Sequence, residues 1–309
     1  MNMLISLALL VVGFFFLVKG ADWFVDGASG MAARLGIPQM IIGLTIVAMG
    51  TSAPEAAVSI TAALKGSADI TIGNVVGSNI INILVILGLA ASVTTISVAK
   101  STVFREIPFM IFTTVLLLVL GLDGTVTLMD GLLLWVVFLF YLGYLFHMAR
   151  SGEGEMEEIP SDRPVWKAGL WTVVGLLLII VGSDVAVDAA SSIARMLGLS
   201  ERLIGLTIVA LGTSLPELFT SVSAARRGNA DIAIGNIVGS NIFNILFVVG
   251  SSALVTPVPF AAAFRIDALI AVSAAVLLLG CCLHRYRLSH RSGLTLLAGY
   301  ATYFAMVLV

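Results

Sequence analysis

Residues 45–88 read TIVAMGTSAPEAAVSITAALKGSADITIGNVVGSNIINILVILG, and residues 207–250 read TIVALGTSLPELFTSVSAARRGNADIAIGNIVGSNIFNILFVVG. The second stretch repeats the first 162 residues later, and the register holds without a gap back to Gly20 and Gly182. About 40 of the 69 aligned positions are identical, more than shared apolar composition produces, so one unit occurs twice. Each copy sets one carboxylate, Glu55 or Glu217, beside a glycine, two hydroxyls and a proline inside an apolar run. A duplicated acidic residue in a broken apolar helix is the pattern of an ion pathway through a membrane.

Composition agrees with that reading. The 309 residues are 59% hydrophobic and 11% charged, with a mean hydropathy of +1.10. Soluble domains carry about 25% charged residues, so the chain reads as a polytopic membrane protein. The net charge is −2 and no basic tract is present, which argues against nucleic acid as a partner. Cys281 and Cys282 are neighbours, and neighbouring cysteines rarely form an unstrained disulfide, so they read as reduced packing residues. The apolar run 4–18 lacks a basic segment before it, and its repeat partner 170–181 lies mid-chain. It reads as a retained first helix rather than a cleaved leader.

A helix that crosses a bilayer needs about 20 mostly apolar residues. Ten segments meet this: 3–33, 38–64, 70–92, 103–121, 126–148, 166–196, 200–225, 232–254, 265–283 and 293–309. The expected fold is all-α, with ten transmembrane helices in two five-helix repeats and discontinuous helices 2 and 7. Residues 1–148 form the first repeat and 166–309 the second. The polar, acidic stretch 149–165, with Pro160 and Pro164, is the hinge loop between them. An odd helix count per repeat inverts the second copy relative to the first. With the N-terminus outside, eleven Lys and Arg fall in cytoplasmic loops and four outside. The positive-inside bias therefore puts both termini outside and the hinge loop inside, in the plasma (inner) membrane.

Chemistry concentrates in the run from Ala48 to Glu55. Pro54 lacks an N–H and clashes with the preceding turn, and Gly50 tolerates unusual backbone angles. Helix 2 is expected to unwind there and free carbonyls, Ala48 among them. At membrane depth a freed carbonyl needs another partner, and a hard cation is one. Thr51 and Ser52 add hydroxyl oxygens and Glu55 adds charge, and the run from Ala210 to Glu217 supplies the matching half. Ca²⁺ takes about 6–8 oxygen ligands, and Na⁺ also prefers oxygen. Ser78 and Asn82, like Ser240 and Asn244, stand four apart on one helix face. The pairs Gly73/Gly77 and Gly235/Gly239 permit close helix approach, expected to bring helix 3 against the break in helix 2. No His or Cys belongs to the set, so Zn²⁺, Cu⁺ and Fe are not the expected ions.

Other repeated polar positions have blander readings. Ser59 and Ser221 read as packing. Asn74, Asn236, Asn79 and Asn241 fit packing or capping as well as ligation. Asp69 and Asp231 precede apolar helices and read as N-caps. The pairs Asp22/Asp26 and Asp184/Asp188 read as solvated helix ends.

On the paired motifs GTSAPE…GNVVGSNIINIL and GTSLPE…GNIVGSNIFNIL, the chain resembles the sodium/calcium exchangers of the calcium/cation antiporter superfamily, prokaryotic type. The resemblance covers essentially the whole length. It implies a transporter rather than an enzyme, with no cofactor, moving Ca²⁺ and Na⁺ through a lipid bilayer from a mid-membrane site. Carried over position by position, the ligands implied are Ala48 (carbonyl), Thr51, Ser52, Glu55, Ser78 and Asn82. The second repeat gives Ala210 (carbonyl), Thr213, Ser214, Glu217, Ser240 and Asn244. Helices 1 and 6 would slide across this core. Potassium-dependent relatives resemble this pattern with Asp at the position of Asn244, so a K⁺ requirement is not expected. Proton-coupled relatives resemble Gly-Asn-Ala-Thr-Glu at the first motif, which favours Na⁺ coupling here. A calcium/proton antiporter and a cation channel are the alternatives. A membrane-embedded enzyme lacks a nucleophile and a His/Cys set. Oligomeric state is left open.

Overall fold

The computed structural model of the chain describes residues 3–151, 164–198, 210–283 and 285–308. Most of the hinge loop and the expected start of helix 7 lie outside the described residues. Twelve helical pieces follow in order. They are α1 (Met3–Leu35), α2 (Gln39–Thr51), α3 (Ala53–Leu64), α4 (Ile70–Val93), α5 (Thr102–Asp123) and α6 (Leu128–Arg150). The second half gives α7 (Val165–Met196), α8 (Ala210–Gly212), α9 (Leu215–Arg226), α10 (Ala230–Val255), α11 (Ala262–Leu283) and α12 (His290–Leu308). Among the described residues seven helices are long and apolar enough to cross a membrane, and eight if α2 and α3 form one bent span.

The order of burial is that of a membrane protein. The apolar windows of α4 and α10 are 78% and 94% buried, against 22% for α1 and 28% for α6, so α4 and α10 form the centre. Phe15, Phe112, Phe140, Trp166 and Ile266 point outward on peripheral helices. In water so large an apolar belt would drive association, whereas hydrocarbon matches it. Glu55, Glu217, Asn82 and Asn244 are instead fully buried in the centre.

α1 and α7 pack along their lengths in opposite directions. A Cβ at Gly13 would stand 2.7 Å from the Ala186 nitrogen, and one at Gly20 2.9 Å from the Gly175 carbonyl oxygen. The missing side chains let the two backbones touch. Two short antiparallel bridges join the halves at their loops. β1 (Ile96–Ser97) pairs with β4 (Arg287–Leu288), and β2 (Thr125–Val126) pairs with β3 (Val258–Pro259). Each bridge joins two loops that the charge distribution assigns to the same side.

Three expectations change. The glycine pairs pack differently from the sequence reading. A Cβ at Gly235 would lie 3.1 Å from Gly43 Cα, and one at Gly239 2.7 Å from the Leu44 carbonyl oxygen. So α10 of the second half lies on α2 of the first, while Gly73 faces Phe264 on α11. Within a half, side-chain amides rather than glycines tie the central helix to the break. The aspartates of α1 are not simply solvated. Arg227 Nη2 sits 3.1 Å from Asp22 Oδ1, Arg227 Nη1 2.6 Å from Asp26 Oδ1, and Ser223 Oγ donates to Asp22 at 2.8 Å. The repeat-related residues Lys65, Asp184 and Asp188 make no ion pair with one another. Finally, Asn229 rather than Asp231 holds the N-cap position of α10, and Ala68 rather than Asp69 holds it ahead of α4. Asp231 stands in the first turn, where a negative charge meets the positive end of the helix dipole.

Candidate ion-binding site

Both motif breaks have the same backbone. Ser52 (φ −84°, ψ 6°) and Ser214 (φ −90°, ψ 2°) leave the helical region, and the helix restarts at once with proline in its first turn. Proline suits that place because its N–H would have no partner there. α2 and α3 bend by 49° at this point. Glu55 and Glu217 thereby fall in the first turns of α3 and α9, where free N–H groups favour a negative charge.

The central helices supply the opposing face. Asn74 Nδ2 donates to the Glu55 carbonyl (3.3 Å) and Ser59 Oγ (2.9 Å). Asn236 Nδ2 donates to the Glu217 carbonyl (3.4 Å) and Ser221 Oγ (2.9 Å). Ser59 and Ser221 are thus partners of an amide that holds the carboxylate-bearing turn, not mere packing. Asn82 and Asn244 each open a π-helical stretch, Asn82–Ile86 and Asn244–Val249. π-Helical turns inside α-helices recur at functional sites.

Contacts between the proposed positions run across the halves. Ser52 Oγ donates to Glu217 Oε1 at 2.8 Å, Ser240 Oγ to the Ala48 carbonyl at 3.3 Å, and Ser214 Oγ to Ser78 Oγ at 3.5 Å. Thr51 Oγ1 donates to Asn236 Oδ1 at 2.9 Å. The Glu55 carboxyl has Glu217, Ser78 and Ser214 as neighbours. Ala210 lies in α8, and Thr213 follows that helix beside Ser214. The Ala48 carbonyl is a correction to the sequence reading. It is not freed, because it accepts the Ser52 N–H at 3.0 Å as well as the Ser240 hydroxyl. The backbone leaves the helical course only at Ser52. On the second half, Ser183 Oγ of α7 donates to the Gly212 carbonyl at 2.8 Å. That carbonyl is the one Pro216, four residues on, cannot serve. Ser183 was invisible in the repeat because its counterpart is Ala21.

Among the candidate ligand residues, six oxygens are buried without a hydrogen-bond partner: both of Glu55, Oε2 of Glu217, Oδ1 of Asn82, Oδ1 of Asn244 and Oγ1 of Thr213. Five of them can only accept when the carboxyls are ionised. Burying such a group without a donor is costly, and a cation relieves several at once. The donor set is all oxygen, which suits Na⁺ and Ca²⁺ rather than a thiolate- or imidazole-seeking metal.

A chain with several apolar spans and buried carboxyl, amide and hydroxyl oxygens at its centre has the make-up of a membrane ion-transport protein. The family described as "Sodium/calcium exchanger protein" matches residues 5–147 and 167–309, and the chain belongs to it, as a prokaryotic-type exchanger. It is 41% identical to the inner membrane protein YrbG of Escherichia coli (strain K12) over 264 residues, 82% of this chain and 81% of that one. It is 32% identical to the sodium/calcium exchanger MaX1 of Methanosarcina acetivorans over 317 residues, 89% of this chain and 91% of that one. Its fold matches the sodium-calcium exchanger NCX_Mj with a TM-score of 0.87 at 31% identity, covering 98% of this chain and 99% of that one.

Proposed function

We propose that the protein extrudes Ca²⁺ in exchange for entering Na⁺ by alternating access, with the ions held mid-membrane between its two halves. The observation that carries this reading is the set of buried acceptor oxygens with no donor, centred on Glu55 and Glu217. The ligands are Thr51, Ser52, Glu55, Ser78, Asn82, Thr213, Ser214, Glu217, Ser240 and Asn244, with the Ala48 and Ala210 carbonyls. The Ala48 carbonyl joins when the Ser240 hydroxyl turns from it to the ion. Two carboxylates favour one divalent ion or at least two Na⁺. Competition for the same oxygens makes the process exchange rather than cotransport. The site without ions is a pair of charges in low dielectric, which blocks the change of access and prevents leak. Any net charge moved adds about 2.3 kcal/mol per charge per 100 mV of membrane potential.

The architecture proposed is ten helices in two inverted repeats, residues 1–148 and 166–309, joined by the loop 149–165. Its support is the antiparallel course of α1 and α7, the paired loop bridges and the family match on either side of the loop. α1 and α7 are the elements that move across the site.

In proteoliposomes, Ca²⁺ uptake should require an opposing Na⁺ gradient and be unchanged by K⁺, because Asn82 and Asn244 are neutral. Uptake driven by a pH gradient in Na⁺-free buffer would replace this with the calcium/proton reading. Ion-driven flux through both faces at once, without counter-ion, would mean a channel.

Orientation has its own test. In a background lacking Cys281 and Cys282, a cysteine at position 161 (Ser161→Cys) should react with an impermeant thiol reagent only after the inner face of the plasma membrane is exposed. Labelling from outside intact cells would reverse the proposed topology.

A further inference from the structure

Asn79 and Asn241 lie where the two halves cross, 2% and 1% exposed. Neither belongs to the ligand set proposed above, yet they bond to each other and to both ligand asparagines. Asn79 Nδ2 donates to the Asn241 carbonyl at 3.1 Å, and Asn241 Nδ2 to the Asn79 carbonyl at 3.3 Å. Asn82 Nδ2 donates to Asn241 Oδ1 at 3.0 Å, and Asn244 Nδ2 to Asn79 Oδ1 at 3.1 Å.

The direction of every amide in this set follows from one kind of fixed group. A backbone carbonyl only accepts, so the end of the Asn79 amide that faces it is the NH₂. That turns Asn79 Oδ1 toward Asn244. An amide oxygen also only accepts, so Asn244 presents its own NH₂ there. Its Oδ1 is left over, buried and without a partner. The same steps, begun at the Asn79 carbonyl, pass through Asn241 and leave Asn82 Oδ1 free. Amide orientation is ordinarily ambiguous, but here the backbone dictates it.

We infer that Asn79 and Asn241 are positioning residues that lock the Asn244 and Asn82 amides with their oxygens toward the ion and select an uncharged hydrogen-bond donor at those two places. The inference rests on Asn82 and Asn244 being ion ligands. An ionised carboxylate at 82 or 244 has no hydrogen to offer the waiting Oδ1, so the clasp is completed by an amide, or by a carboxyl only in its neutral, protonated form. The charge of the site is thereby held to Glu55 and Glu217. With the clasp removed, an amide turns over freely and sets its NH₂ against the cation.

A double-mutant cycle tests this, because residues acting through one another show non-additive effects. Half-saturating Na⁺ and Ca²⁺ concentrations would be read from flux in proteoliposomes, Ca²⁺ affinity by calorimetry, and folding by thermal midpoint. Asn79→Ala should raise both half-saturating concentrations by about tenfold, with a smaller change in maximum rate. Asn244→Ala should do the same, and the double variant should match Asn244→Ala alone. The cycle of Asn241 with Asn82 should repeat the pattern. If Asn244→Ala and Asn82→Ala keep wild-type half-saturation, the ligand assignment itself fails. If they weaken binding but the Asn79 and Asn241 variants do not, or if the double effects multiply, only the clasp is overturned. Failure of both Asn79→Ala and Asn241→Ala to fold, while Asn244→Ala folds, would assign the pair to holding the halves together and also overturn it.

Discussion

Glu55→Gln and Glu217→Gln should each reduce Na⁺-dependent Ca²⁺ uptake by roughly a hundredfold or more, since each removes half the charge that faces a divalent ion. Glutamine matches glutamate in shape and keeps one acceptor oxygen, so the fold has no reason to fail. Glu55 is fully buried beside Glu217, with the Ser78 and Ser214 hydroxyls near it but no hydrogen bond formed to either carboxyl oxygen, and an unpaired buried charge destabilises its surroundings. The thermal midpoint of Glu55→Gln in ion-free buffer should therefore equal or exceed that of the wild type. Glu217 accepts a bond from Ser52 that an amide oxygen can also accept, so Glu217→Gln should gain less. Stability and transport are thus expected to move in opposite directions, a combination that misfolding cannot produce. Wild-type uptake in either variant would remove that residue from the ion site.

Gly239→Val should have a comparable effect for a different reason. The new Cβ would meet the Leu44 carbonyl oxygen and the Ala48 Cβ, each at 2.7 Å, and backbone cannot step aside as a flexible side chain can. α10 must move off α2. Overpacking of this kind costs about 1–3 kcal/mol. The displacement also separates Ser240 from the Ala48 carbonyl, so exchange should be lost even in the fraction that folds. Gly143 is exposed on α6, and Gly143→Val serves as the control expected to keep both stability and flux. A thermal midpoint and uptake rate for Gly239→Val equal to the control would mean that the two helices do not need this contact.

What the sequence disclosed and what it withheld divide along a physical line. The broken helices and the placement of Glu55 and Glu217 in the first turn after each break are local, fixed by proline, by helical period and by the repeat itself. The family resemblance rested on the same runs, and the match over both halves agrees with it. The packing of Gly235 and Gly239 against the other half was not legible, because a glycine pair states that something comes close but not what. The Ala48 carbonyl was misread for a local reason: Pro54 withholds its N–H from the carbonyl four residues back, that of Gly50, and leaves the Ala48 carbonyl to the Ser52 N–H. Asn79 and Asn241 were visible as repeated polar residues, but their task depends on a crossing between segments 162 residues apart. Arg227 reaches Asp22 and Asp26 only through tertiary structure, and nothing in either local run announces it.

That ion bridge has a twin in the repeat. Lys65 stands where Arg227 does, Thr61 where Ser223 does, and Asp184 and Asp188 where Asp22 and Asp26 do. One cluster is ion-paired and the other, also among the described residues, is not, although the residues are nearly the same. Under the proposed alternating access, the chain carries two rulers of opposite sign. A rearrangement that swaps the parts played by the halves shortens the distance from 65 to 188 while it lengthens that from 227 to 26. Swelling or partial unfolding lengthens the closed one without closing the other. Probes on both pairs in one molecule would tell a reversal of state from mere loosening, with no outside reference.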